Sequence, residues 1–294
     1  CCALQFFWFW RHQWLVAVSS VSLDVQAWIN GQPSDTIALT DRGLAYGDGL
    51  FETIKVRNGR AILLERHLQR LQLGCQRLAI PLDLPLLRQE LDAYLQQLDV
   101  GVCKLILTRG VGQRGYALPE PCMPQRILQS ASLPQWPVAH RESGIELYSC
   151  QLRLAEQPIL AGLKHLNRLE QVLARAEWSD PAFAEGLLLD QQLRVVDGVF
   201  SNIFIVKNQQ LITADLSRCG VAGVMRAELL ARADAAGIAV AVTDISLEQL
   251  LQADEVFTCN SLYGIWPVRS YLTQRWPVGQ LTRKLQQLIK DLVD

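Results

Sequence analysis

The run Ala161-Gly162-Leu163-Lys164-His165-Leu166-Asn167-Arg168-Leu169-Glu170 decides how this chain is read. It follows an apolar approach, Pro158-Ile159-Leu160-Ala161-Gly162-Leu163, and precedes a helix expected from about Arg168 to Glu177. A lysine at such a junction, flanked by Leu163 and Leu166, can lose part of its hydration. Desolvation disfavours the charged form, lowers the pKa and leaves the amine nucleophilic near neutral pH. Schiff-base chemistry needs such an amine. In isolation, the same lysine equally suits a helix start that reaches into solvent, as most lysines do.

Upstream, Val25 to Ile29 followed by Asn30-Gly31 reads as a strand and hairpin turn, and Phe51 to Val56 as a half-buried strand turned back at Asn58-Gly59. Leu64, Leu68, Leu71 and Leu78 fall on helical spacing, and a second helix is expected from about Leu84 to Leu98. Val102–Thr108 and Gln125–Ala131 read as strands, and Leu133-Pro134-Gln135-Trp136-Pro137 as a linker. Downstream, strands are expected at Ile145–Cys150, Gly186–Asp190, Arg194–Val196, Asn202–Val206, Ile238–Val242 and Glu255–Thr258. Helices are expected from Gly223 to about Ala236, over Ser246–Leu250 and from Gln280 to Val293. The outcome is an α/β (α+β) chain of two lobes, a smaller one over 25–134 and a larger one over 138–294.

Composition narrows the function. The formal net charge of −1 gives no field to attract nucleic acid or an anionic membrane. The eight cysteines are scattered with no C-x-x-C pair, which argues against zinc and for buried thiols in a reducing cytoplasm. Residues 1–24 are crowded with Phe6, Phe7, Trp8, Phe9, Trp10 and Trp14. A signal or anchor and an extension outside the domain are the two readings, and the extension is favoured. Gly110-Val111-Gly112-Gln113-Arg114-Gly115 fits a dinucleotide fingerprint, but Pro119 and Pro121 follow and forbid the helix it must open.

Gly162-Leu163-Lys164-His165-Leu166-Asn167-Arg168-Leu169-Glu170 resembles the lysine segment of the aminodeoxychorismate lyases. These are pyridoxal-phosphate enzymes of fold type IV, a class that also holds branched-chain and D-amino-acid aminotransferases. The resemblance runs from about Val25 onward through several separated motifs. It implies pyridoxal 5'-phosphate joined to Lys164, an acid at the ring nitrogen and a phosphate cradle. Val196-Asp197-Gly198-Val199-Phe200-Ser201-Asn202-Ile203-Phe204 resembles the family's Glu-x-x-x-x-Asn-hydrophobic-Phe motif, with Asp197 where glutamate is usual and Asn202 in register. The shorter aspartate implies a longer or water-mediated contact.

By the same resemblance Arg66 reaches the phosphate, while Arg70 on the same helix reads as a solvated arginine. Backbone amides of Val224 and Met225, at the helix opened by Gly223, complete the cradle. Asn260 and Ser261 occupy a polar position near phosphate or substrate, and Thr53 positions substrate or assists proton transfer. Arg109-Gly110-Val111-Gly112-Gln113-Arg114-Gly115-Tyr116 matches a family loop, which makes Arg109 and Arg114 receptors for the carboxylates of a dianionic substrate. A homodimer is implied, with Trp266-Pro267 and Trp276-Pro277 as candidate contacts. The alternatives are an aminotransferase of the same fold and an inactive binder of the cofactor or of small carboxylates.

Overall fold

The computed structural model describes residues 27–293. The expectation for residues 1–24 falls outside that range. Ala27–Ile29 (β1) and Gln32–Pro33 (β2) form the first hairpin. Asn30 and Gly31 both take positive φ, 53° and 75°, as a tight two-residue turn with matching twist requires. A short helix, Arg42–Tyr46 (α1), leads into Gly49–Arg57 (β3), which turns at Asn58-Gly59 into Arg60–Ala61 (β4). Helices Leu64–Leu78 (α2) and Leu84–Leu95 (α3) follow, then strands Gly101–Thr108 (β5) and Gln125–Ala131 (β6). The strands make a six-stranded sheet in the order β2-β1-β6-β5-β3-β4. On α2 the stripe Leu68, Leu71 and Cys75 is buried with Leu50, Ile54, Leu105 and Leu107 in one core.

Residues 132–137 lack regular structure, although Trp136 packs edge-on against Tyr263 and Trp266. The second sheet begins with Val138–Glu142 (α4), Ile145–Leu154 (β7), Leu169–Arg175 (α5), Phe183–Asp190 (β8), Arg194–Gly198 (β9), Asn202–Lys207 (β10) and Gln210–Ala214 (β11). It continues with Val224–Ala235 (α6), Val240–Thr243 (β12), Ile245–Ser246 (β13), Leu247–Leu251 (α7), Glu255–Asn260 (β14), Gly264–Tyr271 (β15) and Gln274–Arg275 (β16). Gln280–Leu288 (α8) and Lys290–Val293 (α9) divide what the sequence suggests is one terminal helix.

The strand order is β12-β11-β10-β14-β15-β7-β8-β9-β13, with β16 on β15. A further pairing of β9 with β10, at Asp197 opposite Asn202, closes part of this sheet on itself. The tryptophans proposed as dimer contacts do not serve that way within this fold. Trp266, on the central strand β15, and Trp276, just after β16, are 3% and 5% exposed in one core. Five cysteines, 75, 103, 150, 219 and 259, are buried free thiols. Among the described residues no helix is long and apolar enough to cross a membrane.

Candidate active site

Lys164 lies in an irregular loop bonded on one side to the first sheet and on the other to the segment before α6. On one side the Phe51 amide donates to Lys164 O and the Leu166 amide to Gly49 O, both at 3.0 Å, so the loop runs as an extra strand beside the start of β3. On the other, Gly162 and the Gly220–Ala222 segment exchange hydrogen bonds at 3.0 Å. Glycines permit the approach: a Cβ on Gly47 would meet Asn167 Oδ1 at 2.7 Å, and one on Gly49 would meet Leu166 Cδ1 at 2.8 Å. The amine sits over the Phe51 ring, 4.3 Å from its centroid. Burial, then the charge of Arg70, pushes its pKa down to about 7, while Glu52 and Asp197 pull the other way. The amine is therefore substantially unprotonated near neutrality.

The Arg70 charge has a built setting. Glu52 alternates in phase with Leu50 and Ile54 on the buried side of β3 and is 1% exposed. Arg70 donates through Nε to Glu52 Oε1 at 2.8 Å and through Nη2 to Oε2 at 2.5 Å. His67 Nδ1 donates to the same Oε2 at 2.5 Å. Burial alone would raise the Glu52 pKa, but the two partners hold it at about 2. The remaining Arg70 edge donates to Ala222 O at 3.0 Å, beside the start of α6. His67 Nε2 and His165 Nδ1 are buried without a hydrogen-bond partner among the described residues.

Asp197 anchors the opposite wall. Its Oδ1 accepts from Asn202 Nδ2 at 2.7 Å and its Oδ2 from the Val221 amide at 2.8 Å. Asn202 Nδ2 also donates to Val221 O at 2.8 Å. No cation pairs with Asp197 among the described residues, and burial pushes its pKa up to about 7 against those hydrogen bonds and the charges of Arg226 and Arg168. Behind it, the fully buried Glu185 accepts from Ser201 Oγ and from the Gly186 and Val199 amides, which fixes the turn between β9 and β10. The helix α6 begins at Gly223, with no side chain capping its first turn. Its first residues are Val224 and Met225, and their amides lie where such a helix accepts an anion.

The other predicted residues divide. Ser261 Oγ donates to Thr53 O at 3.2 Å, joining the two sheets. Asn260 Oδ1 accepts from the Leu262 and Tyr263 amides and so caps its own turn. Arg66 leaves the lysine loop and pairs with Glu228 on α6 at 2.5 Å. Arg70, read from sequence as solvated, is instead the buried one, because it adjoins the stripe His67, Leu71, Gly74 on α2. Arg109, expected to meet a substrate carboxylate, is buried and bonded within the chain. Its guanidinium donates to Asp48 Oδ2, Ala79 O and Leu78 O, closing the C-terminus of α2. Arg114 is exposed on the loop after β5, where no helix forms. That loop is held by Arg42, which donates to the carbonyls of Gly115, Tyr116 and Ala117. Sequence reasoning missed Glu52 and His67. Their signal was a carboxylate in phase with the apolar side of β3, which demands a partner.

A family model for amino-transferase class IV matches residues 49–271. An aminodeoxychorismate lyase of Vibrio harveyi is 39% identical over 88% of this chain and 97% of its own length. A putative branched-chain-amino-acid aminotransferase of Methanocaldococcus jannaschii is 32% identical over 91% of this chain and 96% of its own. The crystal structure of 4-amino-4-deoxychorismate lyase from Pseudomonas aeruginosa superposes with a TM-score of 0.89 at 59% identity, covering 90% of this chain and 98% of that one.

Proposed function

The chain belongs to the amino-transferase class IV family, and on that premise we propose that it is an aminodeoxychorismate lyase. It converts 4-amino-4-deoxychorismate to 4-aminobenzoate and pyruvate, a step that feeds folate synthesis, with pyridoxal 5'-phosphate as cofactor. The observation that carries this reading is the Lys164 amine, set over the Phe51 ring in a chain 59% identical to a 4-amino-4-deoxychorismate lyase of known structure.

The residues present fit the cofactor. Lys164 is the amine that joins it. Asp197, a buried carboxylate with no cation of its own, suits a protonated ring nitrogen, and Asn202 holds it in register. The Val224 and Met225 amides at the start of α6 suit the phosphate. Arg70, aimed at Ala222, takes the part the sequence assigned to Arg66. Asn260 and Ser261 supply the polar edge at the end of β14, and Thr53 orients substrate from β3.

When bound, pyridoxal phosphate supplies an electron sink for the carbon that loses its proton. Lys164 Nζ takes that proton and returns one to the departing enolpyruvyl carbon. Burial, with the Arg70 charge beside it, lowers the affinity of the amine for a proton. Phe51 covers the amine and limits access of water. The working unit is a homodimer in the cytoplasm, and the segments 25–134 and 138–294 act as two lobes about the lysine loop.

The test is Lys164→Ala. The variant is expected to stay folded, to lose the near-ultraviolet band of the lysine-bound cofactor, and to form 4-aminobenzoate roughly a thousandfold more slowly or worse. Product is read by its fluorescence. Wild-type protein that consumes a branched-chain or D-amino acid with 2-oxoglutarate and forms no aminobenzoate is an aminotransferase. Protein that loads cofactor and turns over no amine is a binder only.

A further inference from the structure

The lysine loop carries a second cation that the reading above leaves unused. Arg168 is half-buried at the start of α5, and its Nε donates to His165 O at 2.9 Å. That hydrogen bond orients the guanidinium and leaves the Nη1/Nη2 edge without a partner among the described residues. Two other half-buried arginines are matched to carboxylates, Arg70 to Glu52 and Arg126 to Glu90. Glu170, two residues on, accepts from the Ala155 amide at 2.9 Å and forms no ion pair with Arg168, although its charge favours the guanidinium. Burial therefore pushes the Arg168 pKa down to about 10, and its charge acts on both Lys164 and Asp197.

The segment that carries it is held before any ligand arrives. Gly162 is bonded to the Gly220–Ala222 segment, Leu166 to Gly49, and Asn167 Nδ2 to Gly47 O at 3.0 Å. A half-buried, oriented, unmatched guanidinium four residues from the reactive amine is a receptor for a carboxylate.

We propose that Arg168 binds one of the two carboxylates of the dianionic lyase substrate through its Nη1/Nη2 edge, and so selects dicarboxylate amines over simple ones. This rests on the lyase reading. It replaces Arg109, whose donors are spent on Asp48 and the end of α2. The planar fork matters as much as the charge, so lysine is not an equivalent.

The experiment compares the cofactor-loaded full chain with its Arg168→Gln, Arg168→Lys and Arg168→Ala variants. Loading is checked first by the near-ultraviolet band of the lysine-bound cofactor. KM for 4-amino-4-deoxychorismate is expected to rise about tenfold to a hundredfold in Arg168→Gln, the range of a lost charge-assisted hydrogen-bond pair. A smaller rise is expected in Arg168→Lys. Added guanidinium ion is expected to lower the raised KM of Arg168→Ala. Methylamine, which has no carboxylate, is expected to perturb the absorption band at the same concentration in all four proteins.

A wild-type KM in Arg168→Gln with wild-type loading overturns the inference, and so does a methylamine response that weakens in step with KM. If Arg168→Gln does not load, the KM of Arg168→Lys decides: a wild-type value overturns the inference and a raised one supports it. Wild-type protein that forms no aminobenzoate brings down the lyase reading and this inference with it, an outcome distinct from failure of the variants alone.

Discussion

Glu52 on β3 and Asp197 on β9 are buried almost equally, at 1% and 5% exposure, yet they titrate far apart. Burial raises both. Glu52 is paired directly with Arg70 and His67 and ends at about 2, whereas Asp197 is hydrogen-bonded only to an amide and a side-chain carboxamide, feels Arg226 and Arg168 without pairing to either, and ends at about 7. Depth does not decide the charge of a buried carboxylate; its partners do. The first acid is a completed structural unit that holds an arginine still. The second is incomplete within the chain itself, which is the mark of a group reserved for a cationic ligand. Lys164 feels both, and each pulls its pKa upward against burial and Arg70.

The contrast is most exposed to test at Glu52. In Glu52→Gln the Arg70 guanidinium, 11% exposed, is left without its carboxylate. Breaking a buried pair from one side is expected to lower the unfolding free energy by about 3–5 kcal/mol, read by urea denaturation. Asp197→Asn is expected to behave in the opposite way. Removing an unpaired buried charge offsets the hydrogen bond lost at Asn202 or Val221, so stability moves by only about 1 kcal/mol. Turnover with added pyridoxal phosphate is expected to fall about a hundredfold to a thousandfold. Equal stability losses in the two variants would erase the distinction.

Much of this was readable in the chain because it is local. The α2 bounds, Leu64–Leu78, follow from apolar spacing, and the turns at Asn30-Gly31 and Asn58-Gly59 from residues that tolerate positive φ. Lys164 was found through its immediate neighbours. The illegible parts depend on distant partners. Nothing near Arg70 announces Glu52, 18 positions earlier on another element. Nothing near Arg109 announces that it ends a helix about 30 residues upstream. The hairpin between β10 and β11 turns on Asn208-Gln209, with φ of 49° and 61° and no glycine to signal it. Strand β15 was hidden by Pro267, since proline argues against a central strand. It is accommodated because pairing with β7 begins one residue later, at Val268.

Acid titration sharpens the same contrast, because the two carboxylates give slopes of opposite sign. The Asp197 pKa is raised from 3.8 to about 7, so the folded chain keeps a proton that the unfolded chain releases. Its contribution is full below about pH 4 and is lost as pH rises toward 7, with a limiting slope of about 1.4 kcal/mol per pH unit. The Glu52 pKa is lowered from 4.5 to about 2, so its contribution is present above about pH 4.5 and is lost as pH falls toward 2. On cofactor-free protein, the stability of wild type minus Asp197→Asn is expected to decline between pH 4 and 7. Wild type minus Glu52→Gln is expected to climb between pH 2 and 4.5. Two differences sloping the same way would mean that partners do not separate these acids.

The most local test is at Gly223, where the Asp197 side of the comparison meets the helix. Its backbone, φ −66° and ψ 141°, suits any residue, so alanine brings no backbone strain. The obstacle is Asn202, whose Oδ1 would lie 1.9 Å from the new Cβ. That side chain is 5% exposed, and its Nδ2 is committed to both Asp197 and Val221 O. It can yield only by giving up the hydrogen bond that stabilises ionised Asp197. Gly223→Ala is therefore expected to cost about 1–3 kcal/mol in stability. It is also expected to move the wild-type decline attributed to Asp197 toward higher pH. Gly237→Ala is the control: φ is +70° and nothing lies within 4 Å of its added Cβ, so its cost, about 1 kcal/mol, is conformational. That variant is expected to leave the Asp197 titration where it was. A titration moved equally by both substitutions would detach Asn202 from the acid it is argued to hold.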